Sequence, residues 1–142
     1  MQVGRESVCV DVLNGQLYAC GGYSMWHCVD SVECYSPKED CWSMIAPLRT
    51  ARRGAGAAVH DGKLYVVGGS DGTNFLKSVE CYDPDTNTWS YIASMNTCRH
   101  NVGVTVCSGF IFAVGGFDGV AFLNTTEFYD SELDKWCAFT QV

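Results

Sequence analysis

Apolar and polar positions fall into short runs along the chain. Leu64-Tyr65-Val66-Val67 is apolar throughout, whereas Val79-Glu80-Cys81-Tyr82 and Trp89-Ser90-Tyr91-Ile92 alternate. A short continuous apolar run reads as a strand buried on both faces, and a period of two as a strand with one buried face. Ahead of these, Ala55-Gly56-Ala57-Ala58-Val59 carries only small apolar residues, which suits a strand in crowded surroundings near an axis. Turn sequences separate the runs. Asp61-Gly62 favours the left-handed dihedrals of a two-residue hairpin, Gly68-Gly69 allows close backbone approach, and Asp83-Pro84-Asp85-Thr86-Asn87 closes a second hairpin. No segment carries a capped apolar stripe at helical spacing. The pattern predicts four short antiparallel strands and no helix.

The same unit is written three times. Gly-Gly occurs at 21–22, 68–69 and 115–116, Glu-x-Tyr at 33–35, 80–82 and 127–129, and Trp at 42, 89 and 136. Arg5, Arg52 and Arg99 keep the spacing, as do Gly15, Gly62 and Gly109; every interval is 47. The copies span 1–47, 48–94 and 95–142. Four-stranded units at such a period are the signature of β-propeller blades. Gly-Gly, Glu-x-Tyr and Trp in this order resemble the kelch repeat, and Lys63–Met95 resembles a repeat of the BTB-kelch (kelch-like) proteins. Copy one departs from the pattern in placing Ser24-Met25-Trp26-His27-Cys28 after its Gly-Gly pair, and copy three has Asp130-Ser131 where copy two has Asp83-Pro84.

The expected fold is therefore all-β: a partial kelch propeller of three four-stranded blades, which the resemblance makes half of a six-bladed ring. Propellers close with about four to eight blades, so an arc of three presents two apolar flanks and invites self-association. Met1 stands in the column of Leu48 and Met95, and the last copy stops just past Trp136. Both points fit the C-terminal half of a kelch domain, as a fragment or a truncated isoform; a two-fold dimer closing the ring is the alternative.

Composition narrows the function. Of the 142 residues, 47% are hydrophobic and 18% charged, as in a globular domain. The net charge of −7, from 9 basic and 16 acidic residues, argues against nucleic acid as a partner. No apolar run approaches the ~20 residues of a membrane helix, and Met1–Val10 lacks the basic start and apolar stretch of a signal peptide. The nine cysteines are odd in number, lack a C-x-x-C pair and fall mostly within apolar runs. They read as reduced core thiols of a cytoplasmic or nuclear protein, with Cys28 and Cys98, in expected loops, the better candidates for reactivity. Asn124-Thr125-Thr126 fits a glycosylation sequon, a match that carries little weight in a reducing compartment.

Topology assigns loops to ends. In an up-and-down sheet, the second-to-third loop and the blade connection share one end, and the two hairpin turns share the other. All five arginines (Arg5, Arg49, Arg52, Arg53 and Arg99) lie in blade connections, whereas Glu39, Asp40, Asp83, Asp85, Asp130, Glu132 and Asp134 crowd the third-to-fourth turns. The expectation is a polarised molecule with a basic mouth that takes an acidic protein or peptide. Arg5, Arg52 and Arg99 recur in every copy. They either contact the ligand or bind a neighbouring backbone or the Glu33/Glu80/Glu127 column. Columns that vary between blades are the better specificity candidates: Glu6/Arg53/His100, Ser7/Gly54/Asn101 and Tyr23/Ser70/Phe117. The family resemblance places peptide contacts on these columns, so the candidate partner-binding residues are Arg53, His100, Asn101, Tyr23, Ser70 and Phe117, with Arg5, Arg52 and Arg99. Trp26 and His27 either join the site or pack beneath it. The repeated Tyr and Trp columns read as blade packing.

Catalysis is not expected. His60 sits at a hairpin turn, at the end opposite His27 and His100, so the three cannot share a metal. The glycine-rich runs open no helix, which excludes a phosphate loop, and no cofactor is implied. The resemblance implies substrate recognition for a cullin-RING ubiquitin ligase, with the cullin bound through a BTB domain that these residues do not contain. Actin binding by a cytoskeletal scaffold is the alternative.

Overall fold

A computed structural model describes residues 1–140. Positions 141–142, the end of the third copy, lie outside the described residues. Among the described residues there are strands and turns and no helix, and hence no helix able to cross a membrane.

The first sheet comprises β1 (Cys9–Leu13), β2 (Gln16–Cys20), β5 (Val32–Ser36) and β6 (Cys41–Ile45). A two-stranded hairpin, β3 (Tyr23–Ser24) and β4 (His27–Cys28), stands between β2 and β5. The second sheet runs β7 (Gly56–His60), β8 (Lys63–Val67), β9 (Val79–Asp83) and β10 (Thr88–Tyr91). The third runs β11 (Gly103–Cys107), β12 (Phe110–Val114), β13 (Thr126–Asp130) and β14 (Lys135–Phe139). Within each sheet the strands pair antiparallel in chain order. The first hairpin of every blade turns through two residues of positive φ, Asn14-Gly15, Asp61-Gly62 and Ser108-Gly109, the geometry that matches strand twist.

The sheets stack side by side, with inner strand β7 in contact with both β1 and β11. Space near the axis is tight: a Cβ on Gly56 would lie 2.8 Å from the Val104 Cβ of the next blade. Two apolar cores fill the junctions. Leu13, Tyr18, Cys20, Val32 and Cys34 meet Leu64, Val66, Tyr82 and Trp89. One repeat on, Ala58, Tyr65, Val67 and Val79 meet Ile111, Ala113, Tyr129 and Trp136. Trp89 and Trp136 also clamp the preceding blade, Trp89 Nε1 donating to Ala46 O and Trp136 Nε1 to Ala93 O, both at 2.9 Å.

The second strand was expected to be buried on both faces. This holds in β8, where Leu64, Tyr65, Val66 and Val67 are all buried. It does not hold in β12, where Phe110 and Phe112 are half-buried and Val114 is 48% exposed, because no further sheet lies against the third blade.

Candidate functional site

The second-to-third loops and the blade connections gather on one rim. Tyr23, Trp26, His27 and Cys28 of blade one border a single depression with Arg53, Asp71, Gly72 and Thr73 of blade two. At the opposite end, the turns carrying His60, Asp61, Asp130 and Glu132 lie together. The acidic turns and the connections therefore occupy opposite ends.

The repeated arginines do not face a ligand. Arg52 Nε meets Glu80 Oε2 at 3.0 Å, its Nη1 donates to Gly68 O and Ser78 O, and its Nη2 donates to Ser78 Oγ. Arg5 and Arg99 repeat this set on Glu33 and Glu127. All three arginine side chains have zero exposure. The structure thus withdraws Arg5, Arg52 and Arg99 from the contact set, since each guanidinium is spent on holding a loop to its own blade. Burial alone would raise the Glu33 carboxyl, but the N–H groups of Gln2 and Val3 and the Arg5 guanidinium bring it below the ordinary value.

The basic mouth shrinks accordingly. Arg49 leans outward over the Tyr91 ring of the outer strand, 5.2 Å from its centroid. Arg53 alone remains on the inner rim, 5.1 Å over the Tyr23 ring, and forms no salt bridge among the described residues. Its Nε has no hydrogen-bond partner, nor has Nδ1 of His100.

The variable columns pair across the rim. Glu6 bridges Tyr23, Arg53 bridges Ser70 and His100 bridges Phe117, each through two reciprocal backbone hydrogen bonds of 2.8–3.1 Å. A third column joins them, Tyr23 pairing with Cys28, Ser70 with Phe75 and Phe117 with Phe122. Each blade thus presents a miniature ladder at its rim. Ser7, Gly54 and Asn101 all take positive φ, and their backbones link the blades, Gly54 N–H donating to Ser7 O at 2.9 Å and Asn101 N–H to Gly54 O at 2.8 Å. Asn101 is exposed. Ser70 is 5% exposed, and its hydroxyl accepts the Gly72 N–H, so its side chain serves the loop.

The sequence reading missed Phe75 and Phe122. Phe75 packs on Phe117 at 5.3 Å and on His100 at 5.6 Å, and Phe117 packs on Phe122 at 5.3 Å. Together with Cys28 they form a column at the same 47-residue spacing, a signal that was present but fell beyond the Gly-Gly anchor. Burial first, and then the positive charge of Arg53, hold the His100 imidazole below its ordinary range, so it is neutral at pH 7. Burial raises the Cys28 thiol, which opposes reactivity there.

Trp26 answers the question left open by the sequence. It sits at the tip of the β3–β4 hairpin, 92% exposed, with φ 73°. Met25 beside it is 82% exposed with φ 49°. The rim thus sets two exposed aromatic groups, Trp26 and the Phe75/Phe117/Phe122 cluster, either side of one cation. Elsewhere, Cys9, Cys20 and Cys34 are buried core residues, and among the described residues no group of three or more His, Cys, Asp or Glu converges to hold a metal.

Comparison with known proteins agrees with this geometry. The Kelch motif matches residues 4–49, 51–96 and 98–140. Influenza virus NS1A-binding protein from Homo sapiens is 46% identical over 52 residues, 37% of this chain and 8% of that protein. Kelch-like protein 26 from Danio rerio is 43% identical over 49 residues, 34% of this chain and 8% of that protein. The chain thus matches a small part of these curated relatives. The solved structure of YjhT superposes with TM-score 0.85 at 19% identity, covering 97% of this chain and 52% of YjhT, a likeness of fold.

Proposed function

The chain belongs to the kelch-motif family, and on that premise we propose that its rim holds a protein segment carrying both acidic and apolar side chains. One observation carries this proposal above the others: Arg53, in no salt bridge among the described residues, lies beside a 92%-exposed tryptophan on strained backbone. Aromatic side chains and arginine are the usual anchors of protein interfaces, and an unpaired guanidinium selects a carboxylate by its planar fork. Tyr23, Trp26, Arg53, Phe75, His100, Phe117 and Phe122 form the contact set, with Asn101 at its inner margin.

In the setting of a BTB-kelch protein, this rim recruits the substrate of a cullin-RING ubiquitin ligase, and a BTB domain elsewhere engages the cullin. Similarity to Kelch-like protein 26 supports that setting. The cores built around Cys9, Cys20 and Cys34 fit a reducing compartment, cytoplasm or nucleus. We read the rim as a binder: His27, Arg53, Asp71 and His100 stand there among aromatic side chains, the residue types of an interface.

A random peptide display library panned against the purified chain tests the proposal. Enriched sequences should pair Asp or Glu with aromatic or aliphatic residues. Their affinity should fall about tenfold or more for Arg53→Ala and for Trp26→Ala, the loss expected of a hot-spot residue. Peptides without acidic residues, or affinities indifferent to both substitutions, would refute it.

A further inference from the structure

Gly54 lies buried under the rim, between blades two and three. It follows Arg53 in the chain and takes φ 65°. In the other two copies its column holds Ser7 and Asn101, each at φ 53°. Residues with a Cβ thus adopt this backbone conformation twice in the same chain, so dihedral freedom alone does not call for glycine here. The reason is space. A Cβ on Gly54 would lie 2.4 Å from Cε1 and 2.6 Å from Nδ1 of His100, and 2.6 Å from Oδ1 of Asn101. Gly54 belongs to the connection that enters β7, whereas His100 and Asn101 belong to the one that enters β11.

The vacant Cβ place is therefore filled from the next blade. The Asn101 N–H donates to Gly54 O at 2.8 Å and brings the two connections together. The His100 imidazole leans across blade two, above Gly54 and 5.6 Å from the Phe75 ring. Its Nδ1 has no hydrogen-bond partner among the described residues, so packing sets the place of that edge of the ring. At the junction before, Arg53 leans back in the same sense onto the Tyr23 ring of blade one, although Ser7 carries the side chain that Gly54 lacks. An arginine is long enough to pass a Cβ. An imidazole, set one methylene from the backbone, is not.

We infer that Gly54 is a positioning residue of the rim. By leaving its Cβ place empty it seats the His100 imidazole and the Asn101 amide of blade three against blade two, and so joins the Arg53 cation to the Phe75, Phe117 and Phe122 rings in one contact surface. Gly54 touches no ligand itself and acts through His100 and Asn101. This role rests on the rim's being a peptide site.

Gly54→Ser installs the residue that copy one holds in this column. The three nearest atoms in its way are side-chain atoms and not backbone, so the variant should keep the native circular dichroism and give way by moving His100. Nuclear Overhauser contacts between the His100 and Phe75 rings should then vanish. Affinity for a library-selected acidic peptide should fall about fivefold or more, within the coupling expected of touching residues. In a chain already carrying His100→Ala and Asn101→Gly, where the space is vacant, adding Gly54→Ser should change affinity by less than about twofold. Should Gly54→Ser alone lose the native spectrum, this triple variant should regain it. A native chain that binds no such peptide would refute the reading of the rim. Four results would overturn the role of Gly54 and leave that reading standing: native affinity in Gly54→Ser, a loss with the His100–Phe75 contacts intact, an equal loss in the vacated background, or a triple variant that also fails to fold.

Discussion

Trp26 is held where a bulky side chain is disfavoured. Positive φ at a residue with a Cβ costs roughly 1–2 kcal/mol, and Trp26 at φ 73° and Met25 at 49° both occupy that region while their side chains stand in solvent. The β3–β4 pairing holds the turn, and neither side chain packs against the fold, which is what the proposed contact with a partner accounts for. Replacing the pair with the preferred hairpin residues, Met25→Asn with Trp26→Gly, should raise stability by about 1 kcal/mol in urea denaturation while weakening peptide binding at the rim. A variant that is less stable, or that binds equally well, would show that Trp26 packs as structure. His100 gives a second residue-scale test. Its imidazole is held below the ordinary 6.5, by burial first and by the Arg53 charge second. The unfolded chain therefore takes up the proton more readily. The stability that neutral His100 contributes is present above pH 6.5 and lost as pH falls through the folded value. Arg53→Gln removes the neighbouring charge and should move the His100 titration, followed by NMR, upward; an unmoved or lowered midpoint would contradict the pairing.

At the scale of the element, adjacent arginines do opposite jobs. Arg52 satisfies a buried carboxylate and two carbonyls, whereas Arg53 extends onto the rim. Arg52→Ala leaves Glu80 charged and buried without its partner, at a cost of about 3–5 kcal/mol. Arg53→Ala should cost about 1 kcal/mol or less; equal losses in chemical denaturation would refute the division. The sequence could show that the Arg5/Arg52/Arg99 column repeats, because the 47-residue period is free of insertions. It could not show which way the column points, because a connection residue may turn toward the channel or back under its own blade. Counting arginines by end therefore produced a basic mouth, and burial of three guanidiniums reduced it to Arg53. Phe75 and Phe122 escaped notice for a related reason. They follow a loop of variable sequence, and their column begins with Cys28, so no shared chemistry drew attention to it. The four strands of each blade were legible, since hairpin turns, strand alternation and the Gly-Gly pairs all point to them, whereas the β3–β4 hairpin of blade one was not, because Met25-Trp26 at the centre of Ser24-Met25-Trp26-His27-Cys28 carries none of the usual turn residues.

For the whole molecule, stacking decides what a single blade cannot. Each miniature rim ladder spans only a few residues, and the junction hydrogen bonds between Ser7, Gly54 and Asn101 set the ladders side by side. Variable residues from three blades thereby become one surface, with the acidic turns carried to the far end. Arg53 is the one arginine of the inner rim outside any salt bridge among the described residues, with Lys77 exposed on the neighbouring loop, and so few cations predict a shallow response to salt: affinity for an acidic peptide should fall less than about tenfold between 50 and 200 mM salt, measured by titration calorimetry. A steep fall would mean that buried arginines emerge on binding. Chemical-shift mapping of the isotopically labelled chain with a library-selected peptide tests the central claim most directly. The account predicts perturbations confined to residues 23–28, Arg53, 70–75, His100, Asn101 and 117–122. Perturbations centred on the Asn14-Gly15, Asp61-Gly62 and Ser108-Gly109 turns, with the rim unchanged, would contradict it.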